Sequence, residues 1–470
     1  VIASIRRVGN VFLAMLAVLT VLVGYWQVVA GPELASAPGN PRVAQDERRV
    51  VRGRILDRKG RVVVESASDG SRTLHDPSLG PVVGYRSPRY GVTGVERAED
   101  ASLAGRTGVA SVANAFRALA QVPRVGADVY LTIDPSVQAA AATALGSSRG
   151  AIVVMDIRSG AVLAMVSQPS LDTRNVDERW ASLLGDEGKP LINRASQGLY
   201  VPGSTFKVVT AAAALDAAIM TPSTTVIDAT GETTIDGFRI TDAEKPPRAS
   251  FDFAHAFAWS SNVVFADVAL KLGEVRLREY STRFGVGTAL PFDLDTSATS
   301  LSRTTPMPAS LLASTGFGQG ELLLSPLQVA VIGAAIARGG DVPRPYIVGE
   351  VRERGTDGGM GANVRRTTAT TLGVAVSAST AGSMRALLGL AVEEGFSKAA
   401  AIPGVRVGGK TGTAQSVPGQ PDHAWFVGIA PLDAPRVVVV VLREFGGWGA
   451  EAAAPLARPV LERALAATIQ

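Results

Sequence analysis

The sequence predicts an α+β protein: a sheet carrying a helical lobe, preceded by a mainly β region of short strands and an N-terminal membrane helix. Three observations carry that expectation. Strand-like runs lie at both ends of the stretch 129–470, with apolar helical segments between them. The stretch 47–128 holds short strand-like pieces separated by turn signals. Near the N-terminus one apolar run reaches about 20 residues, enough to cross a bilayer.

Composition bounds the reading further. Of 470 residues, 46% are hydrophobic and 19% charged, which argues a folded, core-rich chain, and that length divides into two or three domains. Net charge is +4 with a pI near 9.4. Without a long Lys/Arg run this bias is too small and too evenly spread for a nucleic-acid partner. No cysteine is present, so disulfides and thiolate metal sites are excluded, and an oxidising compartment is permitted without being shown. The three histidines, His75, His255 and His423, lack ligand spacing, and neither a metal nor another cofactor is expected.

Taken in order, Arg6-Arg7 precede an apolar run from Val11 to Val23, which Gly24 to Ala30 extends. Tyr25 and Trp26 fall where the far interface would lie, and the arginine pair directs the N-terminus to the cytoplasm and the remainder outside. Residues 1–30 are therefore expected to be a cytoplasmic tip and single-pass anchor. Ala35-Ser36-Ala37 keeps a cleaved signal peptide open as an alternative, and a buried core helix is a third. Residues 31–46, with Pro32, Pro38 and Pro41, read as a linker. In 47–128, Val62 to Ser66 reads as a strand, and Arg52, Asp57, Arg58 and Glu96 read as a structural salt-bridge network.

Asp128 to Ile133 alternates like a strand and stops at Pro135, so the next domain, 129–470, is expected to begin near Val129. Ser136 to Leu145 is an Ala-rich helix, and Ala151–Asp156 with Ala161–Val166 a hairpin about Arg158-Ser159-Gly160. Leu171 to Gly188 is polar and reads as a surface loop. Asp236-Gly237 between two alternating runs is a strong hairpin signal. Val351 to Thr371 is Gly- and Arg-rich and reads as a mobile segment. The β-branched run Pro435 to Leu442 reads as a strand buried on both faces, and Ala452 to Ala467 as a closing helix.

The chemistry centres on Ser204-Thr205-Phe206-Lys207, introduced by Pro202-Gly203 and followed by an Ala-rich run with strong helix propensity. Ser204 then lies at a helix start with Lys207 one turn on, on the same face. A lysine can activate a serine hydroxyl if burial and nearby positive charge leave it neutral. Alone, this pattern more often describes a capping serine and a solvated lysine. Two later stretches change the balance: Ser260-Ser261-Asn262 in an apolar segment, and Lys410-Thr411-Gly412-Thr413 before a strand-like run. Ser-x-x-Lys, Ser-x-Asn and Lys-Thr-Gly in that order form the signature set of penicillin-interacting serine enzymes.

On these motifs the chain resembles the class B penicillin-binding proteins, monofunctional peptidoglycan D,D-transpeptidases, and most resembles their actinobacterial penicillin-binding protein A type. Asn193-Arg194-Ala195, Gly318-Gln319-Gly320 with Ser325-Pro326-Leu327-Gln328, and His423-Ala424-Trp425-Phe426 add to the likeness. Arg52 to Gly60 and Gly91 to Glu96 resemble the family's two non-catalytic motifs. The resemblance implies the penicillin-binding transpeptidase fold, an antiparallel sheet sandwiched by helices, with 47–128 as an elongated pedestal or dimerisation domain. Ser204 would be the nucleophile, Lys207 its base, Ser260 the proton relay and Asn262 a contact to the substrate amide. Lys410, Thr411 and Thr413 would grip the terminal carboxylate, Gly412 would allow close approach, and the N–H groups of Ser204 and Thr413 would form the oxyanion hole. Trp425 and Phe426 read as core.

The partners implied are peptidoglycan stem peptides (a D-Ala-D-Ala donor and an amine acceptor), β-lactams, the cell membrane, a membrane glycan polymerase and other cell-wall synthesis proteins. A D,D-carboxypeptidase or serine β-lactamase shares the motifs, though a β-lactamase needs neither anchor nor pedestal. A non-enzymatic β-lactam sensor or a scaffold of the division or elongation machinery is the alternative from another class.

Overall fold

The computed structural model describes residues 2–26, 50–67, 70–107, 124–354, 360–415, 417 and 419–468; the expected linker 31–46 lies outside them. Ile2–Gly24 is one helix, and Ile5–Gly24 is apolar and long enough to cross a membrane.

The catalytic part is built on a five-stranded antiparallel sheet in the order Gly408–Ala414, His423–Ala430, Val437–Arg443, Gly150–Asp156, Val162–Gln168. Residues 437–443 sit at its centre, as the unbroken valine run leads one to expect. Alternate side chains feed two cores: Val438, Val440 and Leu442 face one side, Val437, Val439 and Val441 the other. The first core holds the wholly buried helix Pro326–Ala337 and the helix Lys207–Asp216. Pro135–Leu145 and Ala454–Thr468 cover the second face. Because 150–168 pair beside 437–443, the sheet closes only when the two ends of this part of the chain meet, and 408–414 are left at its edge.

The pedestal sheet has six strands in the order Met360–Arg366, Val348–Arg354, Asp128–Leu131, Ile55–Leu56, Val62–Ser66, Arg72–Leu74. It draws on both sides of the expected boundary near Val129: 128–131 run parallel to 55–56 and antiparallel to 348–352. The stretch expected to be mobile, 351–371, thus supplies two strands of this sheet to the extent that it is described. Its Arg and Gly content hides the pattern because residues 362–366 are exposed, so this strand is held by backbone pairing with 350–354 and not by an apolar face.

A second expectation also fails. The loop expected over 171–188 contains the helix Val176–Gly185. Val176 and Leu183 are buried, and Trp180 stacks on Tyr90 with centroids 4.2 Å apart. These three side chains recur at helical spacing, a signal masked by the polar residues between them.

The salt-bridge network is only partly as expected. Arg52 Nε meets Glu96 at 2.7 Å, and Arg52 Nη2 meets Asp100 at 2.7 Å. Arg72 supplies the second cation on Glu96, also at 2.7 Å. Asp57 instead pairs locally with Arg61 at 3.0 Å, while Arg58 is exposed and makes no ion pair among the described residues. Glu96 is 1% exposed, so removing its charge leaves Arg72 without an ion-pair partner among the described residues and Arg52 with Asp100 alone. Glu96→Gln is expected to cost about 3–5 kcal/mol in denaturant unfolding; a loss under about 1 kcal/mol would show that solvent compensates the arginines.

Candidate active site

Pro202-Gly203 turns the chain into a 3₁₀ turn, Gly203–Phe206, that runs directly into the helix Lys207–Asp216. Residues three apart eclipse in a 3₁₀ turn, so Ser204 and Lys207 lie on one side, as the motif predicts. Ser204 is half-buried and Lys207 is fully buried. Among the described residues Ser204 Oγ makes no hydrogen bond, because Lys207 is turned to other partners. Its Nζ donates to Ser260 O at 2.6 Å, Ser260 Oγ at 3.2 Å and Asn262 Oδ1 at 2.7 Å.

Those partners come from a turn between the helices Phe253–Ala258 and Asn262–Arg283. Ser260 adopts φ +59°, which aims both its carbonyl and hydroxyl inward. Ser261 caps the following helix through the N–H of Val264 at 3.0 Å. Asn262 spends its other end on Thr241 O at 2.7 Å. The Ser-x-Asn motif thus supplies an inward serine, a cap and an amide that holds the lysine.

Lys410 lies on the edge strand Gly408–Ala414, 1% exposed, and its Nζ donates to Ser260 Oγ at 2.8 Å. By strand alternation Lys410 and Gly412 face the nucleophile turn, whereas Thr411 and Thr413 lie on the other face. There Thr413 Oγ accepts the N–H of Gly449 at 3.1 Å. The structure therefore gathers Lys207, Ser260, Asn262 and Lys410 at one point and leaves the two threonine hydroxyls apart from it. The close approach that Gly412 permits is that of the protein itself: a Cβ there would stand 2.8 Å from Pro202 O. Trp425 and Phe426 are fully buried.

Burial, reinforced by the charge of Lys410, pushes Lys207 well below the usual lysine range, against a smaller opposing pull from Asp242. Burial lowers Lys410 to about 7. A neutral amine beside a cation-bearing one is the state a serine-activating base requires.

Three acids escaped sequence reasoning. Asp242 Oδ1 accepts the N–H groups of Asn262 at 2.5 Å and Val263 at 3.0 Å, and Asp228 accepts Ser261 Oγ at 3.0 Å. Glu444 accepts Arg194 Nε at 2.7 Å and Tyr200 OH at 2.8 Å, and meets Arg149 at 3.0 Å. It ties the lead-in to the nucleophile onto the end of the central strand. None of the three belongs to a motif, and no local pattern announces their partners.

A serine one turn ahead of a buried lysine, with Ser-x-Asn and Lys-Thr-Gly converging on that lysine, defines a penicillin-interacting serine enzyme. The chain belongs to the penicillin-binding protein transpeptidase family: residues 150–462 match the penicillin binding protein transpeptidase domain, and residues 52–129 match the penicillin binding protein A dimerisation domain. The peptidoglycan D,D-transpeptidase PbpA of Mycolicibacterium smegmatis is 34% identical, over 98% of this chain and 99% of that protein. PbpA of Mycobacterium tuberculosis is 33% identical over the same shares. The ceftriaxone acyl-enzyme complex of penicillin-binding protein A from M. tuberculosis superposes with a TM-score of 0.82 at 32% identity, covering 89% of this chain and 99% of that one.

Gly203 is a tight point of the site. It has φ +56°, and a Cβ would stand 2.5 Å from Thr413 O. Gly203→Ala is expected to cost about 2–4 kcal/mol in denaturant unfolding, from the left-handed backbone and the forced separation of turn and strand. Gly382, inside the helix Ala378–Glu393, has nothing within 4 Å of a Cβ. Gly382→Ala is expected to stabilise by about 0.5–1 kcal/mol. Equal effects at the two positions would contradict this account.

Proposed function

We propose that the chain is a membrane-anchored peptidoglycan D,D-transpeptidase that cross-links stem peptides through an acyl-enzyme on Ser204. The observation that carries this reading is the convergence on Ser260 of Lys410 and of Lys207, which stands one helical turn from Ser204. Family membership supports it, as do the D,D-transpeptidase names of the PbpA relatives.

Neutral Lys207 takes the proton of Ser204 as Oγ attacks the carbonyl of the penultimate D-Ala. The oxyanion is held by the N–H groups of Ser204 and Thr413, whose peptide packs against Gly203. Collapse breaks the peptide bond, and the leaving D-Ala amine takes back a proton from the lysine through Ser260. The acceptor amine of a second stem peptide then displaces Ser204 from the ester, losing its proton along the same route. Charged Lys410 grips the terminal carboxylate, while the Thr411 and Thr413 hydroxyls, on the other face of the strand, take no share in that grip. Asn262 orients the substrate amide with the hydrogen-bonding capacity that Lys207 and Thr241 leave free. A β-lactam presents the same amide and carboxylate but leaves no departing group to make room for the acceptor.

Ile5–Gly24 supports a single-pass anchor. We assign its N-terminus to the cytoplasm, 31–46 to a linker, 47–128 to a pedestal that meets a glycan polymerase, and 129–470 to the transpeptidase domain.

Ser204→Ala is expected to abolish covalent labelling by a fluorescent penicillin while the circular dichroism stays that of the wild type. Labelling at the wild-type rate would remove Ser204 as nucleophile. In the wild type the adduct is expected to last minutes to hours, because general-base help worth roughly 10²–10⁴ in hydrolysis is missing. Five candidate acids downstream of Asn262 are engaged elsewhere. Glu274 and Glu279 pair with Arg278 and Arg283. Asp293 binds the N–H groups of Ile347 and Val348, Asp295 pairs with Arg97, and Glu321 caps 302–304. Return of unmodified mass within seconds would favour a β-lactamase instead.

The acylation rate is expected to follow a bell in pH. It rises as Lys207 loses its proton and falls above about 7 as Lys410 loses the charge that holds the carboxylate. A rate still climbing beyond about pH 9 would remove the Lys410 charge from the mechanism.

A further inference from the structure

Behind the site stands a carboxylate pair that no part of the mechanism above uses. Asp242 follows the hairpin strand Phe238–Thr241, and Asp228 follows the strand Thr225–Ile227. Both turn toward the start of the helix Asn262–Arg283. Asp242 Oδ1 accepts the N–H of Asn262 at 2.5 Å, that of Val263 at 3.0 Å and the Ser261 hydroxyl at 3.4 Å. Asp228 is 3% exposed; its Oδ2 accepts Ser261 Oγ at 3.0 Å and its Oδ1 the N–H of Gly231 at 2.8 Å. The helix already has Ser261 as its cap, so one acid would satisfy the first turn, and a second buried acid carries a desolvation cost that capping alone does not explain.

The chain of contacts leads to the base. Asp242 holds the backbone of Asn262, and the Asn262 side chain holds Lys207 Nζ at 2.7 Å. We propose that Asp242 is a positioning residue for acylation: it fixes, through Asn262, where Lys207 stands, and its negative charge opposes loss of the proton from that lysine. The inference rests on Lys207 being the base for Ser204. The charged groups acting on the pair come from three sides: Asp228 beside Asp242, Lys207 from the nucleophile helix, and Lys410 from the edge strand beyond Lys207. Burial and then the neighbouring Asp228 raise Asp242 to about 6, so its charge changes just below neutral pH, well above the ordinary carboxylate range. The consequence is a brake that strengthens as pH rises through that value, balancing the push of Lys410 on the same amine.

The test is the second-order rate of acylation by a fluorescent penicillin from about pH 5 to about pH 9, for wild type, Asp242→Asn and Asp242→Ala. In Asp242→Asn the amide oxygen can still accept the two N–H groups while its NH₂ faces Asp228. Its plateau rate is expected within about threefold of wild type, with the acidic limb moved to lower pH by about half to one unit. In Asp242→Ala the clamp is gone, and the plateau is expected to fall by roughly a hundredfold. Should the alanine variant fail to fold by thermal unfolding, the asparagine profile alone decides. Superimposed profiles for wild type and Asp242→Asn would overturn the electrostatic part, and a folded Asp242→Ala reacting at the wild-type rate would overturn the positioning part. A wild-type profile without any acidic limb would instead remove Lys207 as the base, a failure of the reaction scheme that is separable from either result.

Discussion

Two ammonium groups shut away from water and sharing one hydroxyl are the constraint on which the active centre depends. Lys207 and Lys410 both bond Ser260 Oγ, at 3.2 and 2.8 Å, so their nitrogens are no more than about 6 Å apart. Were both charged, their repulsion at an effective dielectric near 20 would be about 3 kcal/mol, before any cost of desolvation. The aromatic rings of Phe265 and Phe257 stand 5.4 and 5.8 Å from the two nitrogens and keep the site dry. One proton therefore leaves, and Lys207, lowered by burial and by its neighbour, is the group that gives it up. The same arithmetic explains why Asn262 Oδ1 and Ser260 O must face Lys207: a buried amine with no acceptor would add a further penalty.

Maintaining that arrangement falls to the sheet edge. Residues 408–414 form the outermost strand, braced by 423–430 and through them by the central valine strand. Against this edge the nucleophile turn is pressed closely enough that only glycine fits at Gly203, and Gly318 is packed on Gly203 in turn. Tyr200 and Arg194, just upstream, are bound to Glu444 at the end of the central strand. Burial opposes the Glu444 charge, but the Tyr200 hydroxyl and Arg194 outweigh it and hold the carboxyl below its usual range. A buried pair of this kind adds little net stability, yet losing either partner is costly, so register between turn and sheet is strongly specified. The pedestal is joined to the same framework through backbone pairing, since 128–131 bond both 55–56 and 348–352. Its attachment is a shared sheet rather than a flexible joint.

What the sequence by itself determined is whatever depends on local pattern. The valine run 437–442, the hairpin at Asp236-Gly237, the Ala-rich helices and the apolar N-terminal helix follow from period, propensity and turn chemistry. The ordered triple of motifs was enough to select Ser204, Lys207, Ser260, Asn262 and Lys410, because their residue types and order carry the information. Where local pattern misled, the cause was context. The helix at 176–185 is held by Trp180 on Tyr90, and the strand 348–354 is held by pairing with 128–131 on one side and 360–366 on the other, neither visible from neighbouring residues. Tertiary structure alone decided which partners the selected residues have. It turned Lys207 onto Ser260 and Asn262 and left Ser204 Oγ without a hydrogen bond among the described residues, set the two threonine hydroxyls on the far face of the strand, and brought Asp242, Asp228 and Glu444 from outside every motif. The physical reason is that hydrogen bonds and Coulomb forces act over a few ångströms in space, and residues 150 positions apart, as Ser260 and Lys410 are, come within that range only after the sheet has closed.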